Sequence, residues 1–323
     1  MKILVTGGAG FIGSHLAGDL LGSGHTVVVL DNLSTGSADN IAPFRVHPEF
    51  TFMRGSICDR DLVEKAARGC DCICHLAAAV GVRLIVSRPV HTLETNITGF
   101  DTVLKVAAEH GIRVLLASSS EVYGCSDRIP MSEEDNSVIG TASKRRWSYA
   151  CSKMMDEFLG LAYWHENRVP VVICRFFNII GPRQTGKYGM VVPRFITQAL
   201  SNEPLTVYGD GEQTRCFLNV RDLLRAVTAL MECEAAAGGI YNIGSDSEIS
   251  MNALARTVLQ VTGSRSDIVY VPFEDVYGAD FEDMRRRVPD IRKIRNLTGF
   301  KVRTGLEQTI GEIADHIRGG GRT

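Results

Sequence analysis

Tyr149 and Lys153 stand four residues apart in Tyr149-Ala-Cys-Ser-Lys153. In a helix that spacing puts both side chains on one face. A cation beside a phenol favours the phenolate and draws its pKa from about 10 toward neutrality. Such a phenolate can take a hydroxyl proton while a hydride leaves the same carbon. The same spacing also recurs as plain surface packing, so the pair carries chemistry only beside a hydride acceptor. A second segment, Leu115-Leu-Ala-Ser-Ser-Ser-Glu-Val-Tyr-Gly124, ends a predicted strand. Its three serines and glutamate can orient hydroxyl groups and move protons; alone, they read first as a hydroxyl-rich capping turn.

The acceptor is written into the first residues. Lys2-Ile-Leu-Val-Thr6 reads as an apolar strand, Gly7-Gly-Ala-Gly10-Phe-Ile-Gly13 follows it, and a helical pattern runs from Ser14 to Leu21. A glycine turn between strand and helix lets backbone amides approach a pyrophosphate at the helix N-terminus. A second strand, Thr26-Val-Val-Val-Leu30, ends in Asp31, where a dinucleotide fold holds the acid that accepts a ribose 2′-hydroxyl. Asp31 would repel a 2′-phosphate, which predicts NAD rather than NADP. The competing reading of Asp31 is a turn residue in Asp31-Asn-Leu-Ser.

Behind these residues stands an alternation of elements. Strands are predicted at 2–6, 26–30, 50–54, 71–76, 112–118 and 171–177, and helices at about 12–22, 59–68, 91–110 and 146–167. That order implies right-handed crossovers and a parallel α/β sheet covered on both faces, a doubly wound Rossmann arrangement. The stripe Leu93, Ile97, Phe100, Val103, Leu104, Ala107 reads as helix packing. After about residue 178 the alternation breaks up. We therefore expect a dinucleotide domain over 1–178 and a smaller, interleaved α/β substrate lobe over 179–323, with some segments returning to the first.

Cys70, Cys72, Cys74 and His75 raise the question of a metal. Spacing of two puts the thiols on one face of a strand, whereas zinc ligands usually flank a turn, so buried inert cysteine is expected and no metal site. The chain's 323 residues fit about two domains, and its net charge of −2 gives no electrostatic reason for nucleic acid or an anionic membrane as partner. No leader pattern precedes the first strand and no apolar run approaches the roughly 20 residues of a membrane span. With nine cysteines lacking paired spacing, these features predict a cytoplasmic protein.

The sequence resembles the extended short-chain dehydrogenases/reductases that act on nucleotide sugars, over almost its whole length. The motifs are Thr6-Gly-Gly-Ala-Gly-Phe-Ile-Gly-Ser-His15, Asp31-Asn-Leu-Ser-Thr-Gly36, His75-Leu-Ala-Ala78, Asn96-Ile-Thr-Gly99, the Tyr149/Lys153 pair and Arg175-Phe-Phe-Asn-Ile-Ile-Gly-Pro-Arg183. The resemblance implies that Gly7, Gly10, Phe11, Ile12, Gly13, Asp31, Asn32, Ser34, Thr35, Gly36, Leu76, Ala77, Ala78, Asn96, Tyr149 and Lys153 serve NAD. Asp59 matches the residue that reads adenine, with capping of the next helix as the rival explanation. In the small lobe, Asn178 and Arg215 are implied at a diphosphate, with Val191, Thr206 and Tyr208 near the base; arginine's planar fork suits phosphate oxygens independently.

Within that family, Ser119-Ser120-Glu121 is similar to UDP-glucuronate decarboxylases. Dehydratases place aspartate where Ser120 stands, and simple hexose epimerases usually lack the glutamate. The segment Tyr277–Asp290 is also similar, and Arg287 matches the carboxylate-site arginine; Arg285 and Arg286 read as a solvated face, and Asp290 as the cap of a helix 291–297 stopped by Gly299. The resemblance then implies oxidation at C4 by Tyr149 and NAD with Ser119 on the oxygen. Carbon dioxide is lost from the resulting β-keto acid, steered by Ser120, Glu121 and Arg287, and UDP-xylose forms, with release of the 4-keto intermediate as a side path. A UDP-glucuronate 4-epimerase is the alternative, supported by departures in Gly181–Gly189, and a non-catalytic NAD-binding scaffold the third. A homodimer is implied through helices 91–110 and 146–167, with Met154, Phe158, Leu161 and Trp164 exposed between subunits.

Overall fold

The computed structural model describes residues 1–81, 88–186, 190–277 and 284–321. Strands and helices run β1 (Lys2–Thr6), α1 (Phe11–Gly22), β2 (Thr26–Asp31), a short α2 (Ala38–Ile41), β3 (Phe50–Arg54), α3 (Arg60–Ala67), β4 (Cys72–His75), α4 (Pro89–His110), β5 (Arg113–Ser119), α5 (Trp147–Asn167) and β6 (Val171–Phe176). Next come β7 (Ile179–Ile180), α6 (Val191–Leu200), β8 (Leu205–Tyr208), β9 (Thr214–Cys216), β10 (Leu218–Asn219), α7 (Val220–Glu232), β11 (Ile240–Ile243), β12 (Glu248–Ser250), α8 (Met251–Thr262), β13 (Ile268–Val271), α9 (Phe273–Tyr277), α10 (Arg292–Thr298) and α11 (Leu306–Arg318).

Seven strands form one parallel sheet in the order β11-β6-β5-β4-β1-β2-β3. Strands such as β1 and β2 are apolar on both faces because helices cover both. One face packs α1 and α7 through Leu16, Leu20, Leu223 and Leu230; the other packs α3 and α4 through Val63, Phe100, Val103 and Leu104. The chain leaves β1 for β2 on one side, and β4 pairs on the other, so Thr6 lies between Leu30 and His75. The carboxyl ends part at that point, where doubly wound sheets open a ligand crevice.

The predicted elements through residue 177 match within about two residues at each end. β11, an edge strand supplied by residues 240–243, escaped the sequence reading because four residues carry too little periodicity. A separate apolar cluster joins α6, α8 and α11 through Phe195, Leu254 and Ile313.

The expected subunit-facing stripe on α5 needs correction. Phe158 is 66% exposed, but Met154 packs against the Tyr123–Phe177 cluster, Leu161 against the α4 core, and Trp164 against Gly238. Helical spacing alone does not distinguish a face turned to the chain's own sheet from one turned outward. Cys72 and Cys74 are buried in β4, and the hydrogen bond with Cys72, then burial, hold the Cys74 thiol well above its ordinary pKa. Arg292 N–H donates to Asp290 Oδ1, but α10 begins at Arg292, one residue later than expected, and stops at Gly299 in the left-handed conformation. The segments 181–189 and 277–290 lie partly outside the described residues, at 187–189 and 278–283.

Candidate active site

A cleft of about 630 Å³ opens over the carboxyl ends of the sheet strands. Gly7 turns the chain out of β1 at φ +71°, and a Cβ there would sit 2.7 Å from the Ala77 nitrogen. At Gly13 a Cβ would lie 2.2 Å from the Gly7 carbonyl oxygen, so only glycine lets α1 start this close to the strand. No side chain caps α1 and no acid lies in its first turn, which leaves its N-terminal amides and dipole to an anion. Asp31 Oδ2 accepts from Ala9 N at 2.9 Å and Oδ1 from Leu33 N at 2.7 Å. Burial raises its pKa while these amides lower it, and its carboxylate borders the cleft with Asn32, Ser34 and Thr35. The glycine cradle and this acid fit a dinucleotide.

Most of the residues expected at the cofactor line this cleft: Gly7, Gly10, Phe11, Ile12, Gly13, Leu76, Ala77 and Ala78 besides those just named. Three do not line it. Gly36 abuts the Ala9 backbone, where a Cβ would come within 2.8 Å. Asn96 accepts from Ala79 N at 2.8 Å and donates to Ser152 Oγ at 3.0 Å, tying α4 to the β4 loop and α5. Asp59 caps α3, accepting from Leu62 N at 3.1 Å, as the rival explanation had it.

Tyr149 and Lys153 both reach the cleft from α5. Tyr149 shares a hydrogen bond with Ser119 at the end of β5. Lys153 Nζ donates to Asp156 Oδ2 at 3.2 Å. Burial lifts the Tyr149 pKa well above its ordinary value; the Glu121 charge adds to this, Ser119 opposes it, and Asp156 adds again. Below lies His75, whose Nδ1 shares a 2.9 Å hydrogen bond with Thr6 Oγ1; burial, helped by the Lys153 charge, drops its pKa to about 3 and keeps the ring neutral.

The turn after β5 meets two other segments. Arg287 Nη2 donates to Glu121 Oε1 at 2.7 Å and Nη1 to Ser120 Oγ at 3.3 Å. From the start of α5, Arg146 Nη2 donates to Glu121 Oε2 at 3.2 Å, its guanidinium 4.8 Å from the Trp147 ring centre. Burial works against the Glu121 charge, yet the two guanidiniums outweigh it and lower its pKa to about 2. Glu121 is therefore a carboxylate at neutral pH. Sequence reasoning missed Arg146; its place three residues before Tyr149, one helical turn away, was the available signal.

A buried network holds Arg287 in place. Tyr123 Oη donates to Asn242 Oδ1 at 2.7 Å, and Asn242 Nδ2 donates to the carbonyls of Met131 at 2.9 Å and Asp290 at 3.2 Å. Met131 N–H donates to Val288 O, and Asp290 N–H to Met131 O, both at 2.8 Å. Beside it Arg175 pairs with Glu157 at 2.6 and 2.9 Å, and Ser118 donates to the same carboxylate. Edge strand β11 thus anchors the segment that brings Arg287 over the cleft.

Toward the small lobe, Asn178, Val191, Tyr208 and Arg215 line the cleft. Asn178 donates to Cys216 O at 2.9 Å, joining β6 to the Arg215 strand. The Arg194 guanidinium stacks 3.8 Å from the Tyr208 ring centre, and Phe273 meets that ring edge-on. Thr206 is turned to Gln198, whose Nε2 donates to its Oγ1 at 3.1 Å, and does not line the cleft.

The profile of the NAD dependent epimerase/dehydratase family matches residues 3–244. UDP-N-acetyl-alpha-D-glucosaminuronate decarboxylase of Bacillus cytotoxicus is 41% identical over 322 residues, covering 98% of each chain. UDP-glucuronic acid decarboxylase 1 of Xenopus tropicalis is 37% identical over 98% of this chain and 72% of its own. Among solved structures, UDP-glucuronic acid 4-epimerase of Bacillus cereus, in complex with UDP-glucuronic acid and NAD, superposes with a TM-score of 0.89 at 28% identity over 99% of both chains. Its glycine cradle, its sheet and this similarity along nearly the whole chain place the protein in the NAD-dependent epimerase/dehydratase family.

Proposed function

We propose that the protein is a UDP-glucuronate decarboxylase that forms UDP-xylose. The observation carrying this reading is the meeting of Arg287, Arg146 and Ser120 around Glu121 within reach of Tyr149. Two guanidiniums beside a sugar-sized cleft form a carboxylate site, and the carboxylate now answering them is the protein's own. The 41% and 37% identities with decarboxylases support the same conclusion.

Held in the glycine turn, NAD supplies the acceptor for the C4 hydride and its later donor. Tyr149 takes the C4 hydroxyl proton, Ser119 holds that oxygen, and Lys153 keeps the phenol's surroundings cationic. Oxidation leaves a ketone β to the C5 carboxylate, so the electrons of the breaking C–C bond delocalise into an enolate as carbon dioxide departs. Ser120 and Arg287 turn the carboxylate out of the ring plane. Glu121, ionised between its arginines, orients a water for the proton at C5 rather than giving one of its own. Tyr149 finally returns its proton to O4. Asn178 and Arg215 hold the diphosphate, and Val191 and Tyr208 the base; the dinucleotide domain is residues 1–178 and the substrate lobe 179–323, with α7 and β11 returning to the first.

A second reading, with an acetamido group at C2, is favoured by the higher identity to the Bacillus cytotoxicus enzyme. The 4-epimerase reading fits less well because its solved relative is 28% identical. Incubation with UDP-glucuronate and, separately, its 2-acetamido analogue, followed by mass and C4 configuration, separates these. Loss of carbon dioxide from the first supports the proposal, and preference for the second moves the substrate assignment. Unchanged mass with inverted C4 means epimerisation, and no turnover means a scaffold.

Assembly as a homodimer through α4 and α5 is supported by Phe158 and Met155, 66% and 47% exposed on α5. A cytoplasmic setting suits nine free cysteines. Among the described residues no helix is long and apolar enough to cross a membrane.

A further inference from the structure

Arg286 and Arg287 are neighbours in the chain with contacts on different sides. Arg287 enters the cleft, whereas Arg286 turns to the small lobe and holds Glu248 with its fork, Nε donating to Oε1 at 2.8 Å and Nη2 to Oε2 at 2.7 Å. Glu248 opens β12, which runs antiparallel to β9 with Glu248 opposite Cys216 and Ser250 opposite Thr214. Side chains alternate across a strand, so Thr214 and Glu248 share one face. The Thr214 hydroxyl donates to Glu248 Oε1 there, and Arg215, on the other face, lines the cleft. A backbone bond completes the junction, with Thr214 N–H donating to Arg285 O at 2.9 Å. The far end of the Arg287 segment is tied separately, by Met131 N–H to Val288 O and Asp290 N–H to Met131 O. Arg287 therefore sits between one anchor in the dinucleotide domain and another in the substrate lobe.

We propose that Glu248 is a positioning residue that ties the strand carrying Arg215 to the segment carrying Arg287 and so fixes the span between these two guanidiniums. Stability alone gives little reason for the pair. Arg286 keeps 56% of its side-chain surface exposed and Glu248 25%, and such pairs contribute little to folding. Geometry is what a two-pronged fork on a carboxylate does supply, because it sets orientation as well as distance. The Arg286 hydrogen bonds, helped by Thr214, outweigh burial and lower the Glu248 pKa to about 2, so the clamp is charged at neutral pH. Arg285 adds only a longer bond, 3.4 Å to the exposed Asp210.

The consequence rests on the proposed function, in which Arg215 takes the diphosphate and Arg287 the carboxylate of one substrate. A nucleotide uronate carries its diphosphate on C1 and its carboxylate on C5, so a pyranose ring sets the span between the two anions. The clamp sets the matching span in the protein. With Glu248 removed, the uronate end of the substrate loses its register while the nucleotide end keeps its own contacts.

Calorimetry on holoenzyme in a Tyr149→Phe background, where turnover is blocked, compares UDP, UDP-glucose and UDP-glucuronate. In Glu248→Ala the first two should bind as before and UDP-glucuronate about tenfold more weakly, a modest share of what small misplacements cost. The exchanged pair, Glu248→Arg with Arg286→Glu, should recover much of that loss, as expected of two groups that act through each other. Equal weakening of all three ligands would make Glu248 a support of the nucleotide lobe, and unchanged binding of all three would make the pair idle; either result overturns the proposal. Should Glu248→Ala not fold, Glu248→Gln must show the same selective loss, and its absence counts against the clamp. A second readout needs no sugar. Arg287 Nε is buried, so its N–H exchange reports opening of the segment. In holoenzyme isotope-labelled at arginine, the signal lost in Arg287→Lys should exchange with water at least about tenfold faster in Glu248→Ala. An unchanged rate overturns the proposal. If wild type binds UDP-glucuronate no better than UDP-glucose, the uronate reading falls and the exchange rate alone decides the positioning role.

Discussion

Arg287 grips Glu121 at 2.7 Å across 166 residues of sequence, and this pair joins the last third of the chain to the carboxyl end of the fifth strand. Glu121 occupies the Arg287 fork and is also held by Arg146, so on the proposed function a substrate carboxylate would compete with it for one guanidinium. Site chemistry and lobe attachment thus share one ion pair.

Glu121→Gln should lower kcat by about 100-fold, in the range of a lost proton-handling group, while leaving cofactor content unchanged. Carbon dioxide release and the nucleotide recovered from denatured protein check the two halves. An equal loss of both would remove the role.

The same pair predicts an acid-dependent stability. The folded Glu121 pKa lies near 2, below its ordinary 4.5, so its contribution is full above about pH 4.5 and lost as pH falls toward 2. The gap between wild type and Glu121→Gln, of up to about 3 kcal/mol, should shrink through that window in urea denaturation. A gap independent of pH would mean that shape, not charge, is lost.

Tyr149→Phe should bind NAD and nucleotide sugar but lose at least about a thousandfold in turnover, because the group proposed to take the O4 proton is gone. Calorimetric binding with steady-state kinetics checks this, and near-normal turnover would move the base elsewhere.

Gly13→Ala tests the cradle. Its Cβ would meet the Gly7 carbonyl at 2.2 Å, so the turn must open. Overpacking of this kind destabilises by roughly 1–3 kcal/mol. The purified variant should carry little cofactor, read from its absorbance ratio, and melt at a lower temperature.

Asn242→Ala removes one hydrogen bond each from the Tyr123 hydroxyl and the Met131 and Asp290 carbonyls. At about 1–3 kcal/mol for each buried group, partly relieved by relaxation, a loss near 3 kcal/mol is expected in denaturant. Because this network carries Arg287, KM for the uronate should rise while affinity for UDP alone holds. A parallel weakening of both would point to general loosening.

The sequence by itself determined the alternating strands and helices, the glycine turn, Asp31, and the Tyr149–Lys153 face, because each is a local pattern with a period or spacing set by backbone geometry. It also brought Arg287 to notice, through resemblance. Four things were decided only by the tertiary structure. β11 became the sheet edge because a sheet accepts a strand by hydrogen-bond pairing, whatever its distance in sequence. Arg146 and Arg287 closed on one carboxylate, a convergence no spacing encodes. Three of the four residues expected between subunits turned inward, because both faces of a helix can be apolar and only packing chooses. Lys153 met Asp156 Oδ2 at 3.2 Å one turn along its helix, because a buried ammonium takes the partners its fold puts beside it.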